Sequence, residues 1–129
     1  MRNQICVSGA ASGPSVMASK DLAFRLGQEI SRQGKTLTTG ATVGLPHYAA
    51  IGAVSVKGRK GLSVGFSPAS SFRQHIKTYR LPFEPFDYIN FTGMGYVGRD
   101  AHLVLSSDAV ITVGGRMGSL HELATALES

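Results

Sequence analysis

Several residue types and patterns are scarce in this chain of 129 residues, and each scarcity excludes a class of protein. A single cysteine, Cys6, rules out an internal disulfide and indicates a reducing compartment. No apolar run approaches the roughly 20 residues that a helix needs to span a bilayer, so no membrane association is expected. The first ten residues lack the long apolar segment of a signal peptide, and we therefore expect a cytoplasmic location.

The sequence also lacks patterns typical of metal sites and of aromatic surfaces on which nucleic-acid bases stack. The four histidines have no spacing with cysteine or paired carboxylates that would hold a metal ion, so neither a metal nor another cofactor is expected. Tryptophan is absent, and aromatic residues do not alternate with lysine and arginine as they do in single-stranded DNA binders. Acidic residues number 8 against 13 basic ones, and the formal charge of +5 favours anionic partners, nucleotides or nucleic acid among them.

Short β-rich segments alternate with segments of helical period along the chain, which is long enough for one domain over residues 1–129. Strands are predicted at 4–9, 35–40, 61–68, 87–91 and 108–115. Helices are predicted at 11–34, 43–58, 96–107 and 118–129, and residues 69–86 are predicted to be mostly loop. The alternation indicates βαβ units, and hence an α/β, three-layer, doubly wound Rossmann-like fold with a parallel sheet of about five strands.

Glycine is the abundant residue, with 16 in the chain, and glycine-rich loops follow four of the five predicted strands. Their sequences are SGAASG, TTGATVG, FTGMG and VGGRMGS. Ligands of open α/β sheets bind outside the carboxyl ends of the strands, so the four loops are expected to share one edge and to bind a phosphorylated ligand. The candidate ligand-binding residues in the first three loops are Ser8, Gly9, Gly40, Thr42, Gly44 and Gly93.

The loop after the fifth strand is the main candidate for a phosphate site. Gly114, Gly115 and Gly118 lie between a strand and a helix whose first turn presents unpaired amides at its positive end. Ser119 either caps that helix or donates its hydroxyl to the phosphate. In the alternative interpretation, the glycines are present only because a tight turn needs backbone dihedral angles that glycine adopts easily. Glu122 follows Ser119 by three residues, which also fits a capping box.

Two segments, GATVGLPHYAAIGAV and RDAHLVLSSDAVITVGGRMGSLHE, resemble the LOG-type Rossmann-like family. That family was once described as lysine decarboxylases, and its type members are cytokinin-activating phosphoribohydrolases. The resemblance covers nearly the whole chain and implies that Arg99 and Glu122 are catalytic. It also implies that the chain is shortened at its C-terminus, that it forms a homodimer, and that the glycine-rich loop after the fifth strand is the family's phosphate-binding signature.

The chain departs from the family pattern at three positions. Gly114 replaces the proline of the signature, Arg116 replaces its second glycine, and Asp100 replaces a lysine after the catalytic arginine. Arg116 either points outward into solvent or clamps an additional anionic group of the ligand. The departures weaken the expectation of LOG activity itself and leave a nucleotide-type pocket.

Three functions are compatible with these residues. The first is hydrolysis of the base–ribose bond of a nucleoside 5'-monophosphate, in which Glu122 would stabilise an oxocarbenium-like state and Arg99 would orient the phosphate. In the alternative interpretation, Arg99 is a solvated helix charge and Glu122 only a cap. The second function is a carrier or binding module for a phosphorylated cofactor, as in the related molybdenum-cofactor carriers. The third is single-stranded DNA binding, as in DNA-processing protein A; it is disfavoured because aromatic residues do not alternate with lysine and arginine and tryptophan is absent.

Overall fold

The computed structural model describes residues 3–113, in which five strands alternate with four helices. The strands are β1 (Gln4–Gly9), β2 (Thr36–Thr39), β3 (Ser63–Ser67), β4 (Tyr88–Phe91) and β5 (Ala109–Val113). The helices are α1 (Pro14–Arg32), α2 (Leu45–Val54), α3 (Phe72–Lys77) and α4 (Gly95–Leu105). The predicted helix at 118–129 lies outside the described residues.

The five strands form one parallel sheet in the order β4-β3-β2-β1-β5. The chain adds β2, β3 and β4 on one side of β1 and then crosses back, so that β5 pairs with the other side of β1. The order therefore reverses between β1 and β5, where Gly9 pairs with Val113. These two parallel strands accordingly end at the same edge of the sheet, and the predicted α/β doubly wound fold is confirmed.

Two separate apolar clusters cover the two faces of the sheet, which gives the fold three layers. Neighbouring residues of β1 point to opposite faces, so Val7 packs with the residues of α1 and α2 while Cys6 packs against Leu103 and Val104 of α4. The cysteine is 1% exposed, as expected for a small buried side chain. In residues 3–113 no helix combines the length and the hydropathy that a bilayer crossing requires.

Helices α1 and α2 approach each other through small residues. Gly27 on α1 faces the backbone of Ala49, and Gly52 on α2 faces the backbone of Phe24. A Cβ atom on Gly27 would stand 2.7 Å from the carbonyl carbon of Ala49, so only glycine permits this spacing. The apolar residues of α2 are thus largely used inside the chain, where six of its ten residues are buried.

Helix α1 begins and ends next to residues that are typical of helix ends. Pro14 occupies the first turn of α1, where its missing N–H costs no hydrogen bond. Gly34 follows the helix with a φ of +75°, a left-handed conformation that favours glycine and ends the helix.

Residues 69–86 contain a short helix that the sequence did not indicate. Ser71 caps α3 by accepting a hydrogen bond from the Gln74 amide, and His75 is the buried residue of this helix. His75 Nε2 donates to the Pro82 carbonyl, while the Ser67 hydroxyl donates to His75 Nδ1, each at 2.7 Å. The segment is otherwise irregular, as predicted; the helix at Phe72–Lys77 was not predicted, because one cap and the hydrogen bonds of a buried histidine replace the apolar stripe that reveals a longer helix.

Candidate functional site

A pocket of about 340 Å³ opens at the carboxyl edge of the sheet, beside the ends of β1 and β2 and against α4. Five of the residues predicted from the glycine-rich loops and the family resemblance line it. They are Ser8, Gly9, Gly40, Thr42 and Arg99. Tertiary structure therefore brings together the loops after β1 and β2 and one face of the helix that crosses back to β5.

Arg99 is held in this pocket by backbone carbonyl groups. Its Nη1 donates to the carbonyl of Gly40 and, at 3.4 Å, to the carbonyl of Phe66. The residue is 6% exposed, so the interpretation of Arg99 as a solvated helix charge was wrong. A guanidinium is tolerated at this depth because carbonyl dipoles at the strand ends accept its hydrogen bonds.

The next residue, Asp100, forms an ion pair with Arg99. Asp100 Oδ1 lies 2.6 Å from Arg99 Nε, although Nε is not aligned for a hydrogen bond. The Asp100 side chain is 45% exposed and lines the pocket, so this carboxylate faces both its neighbour and the space a ligand would occupy. The carboxylate stands where the family resemblance expects a lysine.

Protein atoms occupy the space beside two of the predicted glycines. A Cβ atom on Gly40 would stand 2.8 Å from Arg99 Cζ, in the space that the guanidinium fills. Gly44 has a φ of +90°, and a Cβ atom there would stand 2.5 Å from the Cα of Ala11. Gly44 thereby lets the start of α2 pack against the loop after β1, where the Leu45 amide donates to the Ala10 carbonyl at 2.9 Å.

The remaining predicted residues lie elsewhere. Gly93 follows β4 beside Ser70, two strands away from β2, and does not line this pocket. The signature residues lie outside the described residues: Gly114, Gly115, Arg116, Gly118, Ser119 and Glu122. The signature begins directly after Val113, which pairs with Gly9 at the pocket edge.

The helices that follow β1 and β2, like α4 after β4, begin at the carboxyl edge of the sheet without side-chain caps. Helix α1 starts after Gly13 and α2 after Gly44; neither has a side-chain cap or an acidic residue in its first turn. Helix α3, which lies outside the pocket, is capped by Ser71. Within residues 3–113, the positive ends of the α1 and α2 dipoles therefore have no acidic residue in their own first turns, a setting that favours a bound anion.

Sequence reasoning did not select Tyr96 and Asp100 as site residues. Tyr96 precedes Arg99 by three residues and Asp100 by four, so all three lie on neighbouring positions of one helix face. The Arg99 guanidinium carbon stands 5.3 Å from the centre of the Tyr96 ring. Helical spacing of three residues from Arg99 would have found Tyr96, and a spacing of four from Tyr96 would then have found Asp100.

The histidines do not form a metal site in the part of the chain that the structure describes, where no group of three or more potential ligands is present. His47 lies in the first turn of α2, with its Nδ1 buried and without a hydrogen-bond partner. Burial lowers the pKa of His47, so the ring is neutral at physiological pH. It does not line the pocket described above.

A second pocket, of about 480 Å³, lies between the carboxyl ends of α1 and α2. Its basic residues are Arg32, Lys57, Arg59 and Lys60. Helix carboxyl ends carry the negative pole of the dipole, so basic side chains there complement the helices. The larger of these two pockets therefore lies at the edge of the sheet where the strands begin, opposite the edge at which the ligand is predicted to bind.

Known proteins resemble this chain over nearly its full length. The molybdenum cofactor binding protein from Rippkaea orientalis is 32% identical, with a TM-score of 0.78 over 99% of this chain and 72% of that one. The molybdenum cofactor carrier protein from Chlamydomonas reinhardtii is 28% identical, with a TM-score of 0.75 over the same shares of the two chains.

A more distant structure shares the fold alone. DNA processing protein A from Helicobacter pylori, a single-stranded DNA binder, is 17% identical, with a TM-score of 0.62 over 97% of this chain and 62% of that one. Among curated sequences, an uncharacterized protein from Archaeoglobus fulgidus is 34% identical over 107 residues, or 83% of this chain. The chain spans 63% of the length of that relative.

A family model decides the assignment, because it matches residues 2–129 and so includes the segment after β5. The resemblance to LOG-type proteins and the likeness to cofactor carriers both agree with it. The chain belongs to the SLOG cluster4 family.

Proposed function

We propose that this domain binds a phosphorylated, nucleotide-type ligand in the pocket beside β1, β2 and α4, and that it serves as a binding or carrier module. The observation that carries the proposal is the pair of uncapped helix amino ends, those of α1 and α2, at the edge where the pocket opens. Each dipole contributes about 0.3–1 kcal/mol to the binding of an anion, and hydrogen bonds to a charged group contribute about 1.5–3 kcal/mol each.

The phosphate would lie at the loops after β1 and β2, near Ser8, Gly9 and Thr42, which line the pocket. The glycine-rich signature after β5 would supply further amides, with Ser119 as hydroxyl donor. The formal charge of +5 assists the approach of an anion. A carrier role is supported by the two similar structures that are named for binding or carrying a cofactor.

Hydrolysis of the base–ribose bond is the second candidate, favoured by the presence of Arg99 in the pocket. Arg99 already donates to two backbone carbonyls, so its role toward a ligand would be to orient it rather than to move a proton. Glu122→Gln keeps the capping box and removes the charge that would stabilise an oxocarbenium ion. If free base is released from nucleoside monophosphates, this variant should slow release by orders of magnitude; full activity in the variant would make Glu122 structural.

The binding proposal is tested with a charge placed in the pocket. Ala11 is exposed and lines the pocket beside the start of α1. Ala11→Asp should weaken the binding of nucleoside monophosphates by about tenfold or more, since the carboxylate repels the phosphate and offers the amides a competing acceptor. The fold should remain stable, because an acidic residue before a helix is favourable.

The matched control is Ala18→Asp, which introduces the same charge at an exposed position of α1 outside the pocket. Isothermal titration with nucleoside monophosphates and the corresponding nucleosides measures the contribution of the phosphate. We expect the monophosphate to bind more tightly than its nucleoside in the wild type and in Ala18→Asp. Equal affinities for the two ligands, or equal losses in the two variants, would refute the phosphate site.

A further inference from the structure

Asp100 places a carboxylate in a pocket whose other electrostatic features favour anions. The side chain is 45% exposed and lines the pocket together with Tyr96, Arg99 and Leu103 of the same helix face. In residues 3–113 its polar contact is the ion pair with Arg99, which engages Oδ1 at 2.6 Å. Arg99 Nε is not aligned for a hydrogen bond to Oδ1, so Oδ1 keeps acceptor capacity beside the ion pair, and both Oδ1 and Oδ2 can accept hydrogen bonds from a ligand.

An ionised carboxylate accepts hydrogen bonds and donates none, so Asp100 repels a phosphate placed beside it. The position beside Asp100 is consequently unsuited to the phosphate, which the amino ends of α1 and α2 favour at the loops after β1 and β2. A ligand that uses both sides must carry hydrogen-bond donors at the end opposite its phosphate.

Tyr96 provides a flat surface next to this carboxylate. Its ring is held by the Arg99 guanidinium and by Tyr79, which contacts it edge-on with ring centres 5.4 Å apart. Tyr96 remains 47% exposed. Residues four apart on a helix have Cβ atoms roughly 5–6 Å apart, about the width of a six-membered heterocycle and its substituents. A planar ring lying along Tyr96 therefore presents its edge to Asp100.

We infer that Asp100 is a specificity-determining residue that selects a heterocycle carrying a ring N–H next to an amino group, as guanine does. The inference rests on the proposed function, because it concerns the base of the ligand whose phosphate that proposal locates. Two donors side by side pair with two carboxylate oxygens. Hypoxanthine keeps the ring N–H and lacks the amino group, and adenine presents an unprotonated ring nitrogen that would face the carboxylate as a second acceptor.

Three nucleotides with the same phosphate and ribose test this selection: GMP, IMP and AMP. We expect the wild type to bind GMP about 10- to 100-fold more tightly than IMP, which corresponds to one charge-assisted hydrogen bond, and AMP more weakly than IMP. Asp100→Asn keeps the size of the side chain and loses its charge, so GMP affinity should fall toward that of IMP while AMP affinity rises.

The control is Asp21→Asn, which removes one negative charge at an exposed position of α1. A general electrostatic effect would strengthen the binding of all three nucleotides alike in either variant. Selection by Asp100 would instead change the ratio of GMP affinity to AMP affinity, and only in Asp100→Asn. Equal binding of the three nucleotides by the wild type would overturn the inference and leave the phosphate site intact. Binding of none of them would overturn both. If Asp100→Asn fails to fold, the relative affinities of the wild type for GMP, IMP and AMP test the inference on their own.

Discussion

Arg99 and Gly40 share one small volume at the ends of the strands. The guanidinium donates to the carbonyl of Gly40 and lies over the position that a side chain at residue 40 would need. The buried arginine thus depends on the absence of a Cβ atom 59 residues earlier in the chain. Such a dependence makes the shape of the pocket sensitive to a single methyl group.

Gly40→Ala should destabilise the wild-type protein by about 1–3 kcal/mol, because the added methyl group displaces the guanidinium from its carbonyl partners. The same substitution in an Arg99→Ala background should cost little, since the competing side chain is gone. Urea denaturation of the four proteins of this double-mutant cycle measures the coupling. Additive effects of the two substitutions would show that the two residues do not compete for this space.

At the scale of elements, the packing of α1 on α2 and the attachment of β4 depend on single positions. Gly52 allows α2 to lie against the backbone of Phe24 in α1. Arg59, in the loop after α2, binds both oxygens of Asp87 at 2.7 and 2.8 Å, just before β4 begins. Asp87 also accepts a hydrogen bond from the Ser63 amide at 2.6 Å, which connects the start of β4 to that of β3.

Gly52→Ala tests the helix contact. Alanine is the better helix former by about 1 kcal/mol, so the substitution would stabilise a solvent-facing position. Here its Cβ atom would stand 2.9 Å from the Phe24 carbonyl carbon, and separating the helices should cost about 1–3 kcal/mol. We expect a net loss of stability and a lower melting temperature. A higher melting temperature would mean that α1 and α2 can separate at little cost.

The Asp87 contact predicts a dependence of stability on pH. Hydrogen bonds from Arg59 lower the pKa of Asp87, against the opposing effect of partial burial. The folded pKa lies below the unfolded value of about 3.9, so the stabilisation is complete above that pH and is lost as pH falls through the folded pKa. The pair is partly exposed, which limits its contribution to about 1 kcal/mol.

Asp87→Asn should therefore lower the free energy of unfolding by about 1 kcal/mol at pH 7, and the difference from the wild type should shrink in acid. The amide oxygen can still accept from the Ser63 amide, so the variant removes the charge together with one of the two hydrogen bonds from Arg59. Chemical denaturation at pH 7 and at pH 3 measures both differences. A difference that stays constant between the two pH values would rule out the charge as its cause.

At the scale of the whole molecule, the homodimer stays a prediction. It rests on the resemblance to the LOG-type family, with the apolar segment LPHYAAIGAV as the candidate contact, and the structure buries six of the ten residues of that segment, now α2, within the chain. Sedimentation equilibrium at high micromolar concentration should give twice the mass of one chain. A single-chain mass at that concentration would exclude the homodimer and indicate that the apolar segment serves the core alone.

The amino-acid sequence determined the alternation of elements, the parallel α/β sheet and the edge of the sheet at which the loops after β1 and β2 lie, because local periodicity and turn residues dictate these features. It also identified Arg99, although by resemblance rather than by spacing. The contact of Arg99 with Gly40 needed the tertiary structure, since it depends on how α4 crosses the sheet back to β5. Helix α3 was missed because its stabilising partners, Ser67 and Pro82, lie outside its own sequence.

Only the tertiary structure decided which predicted residues share a pocket. Ser8, Gly40 and Arg99 come from three distant segments and meet because β1 and β2 are adjacent and α4 covers their carboxyl ends. Gly93 has the same local signals and lies apart, because β4 is at the far edge of the sheet. A glycine-rich loop shows that the backbone turns after a strand, whereas the order of strands in the sheet decides what that turn faces.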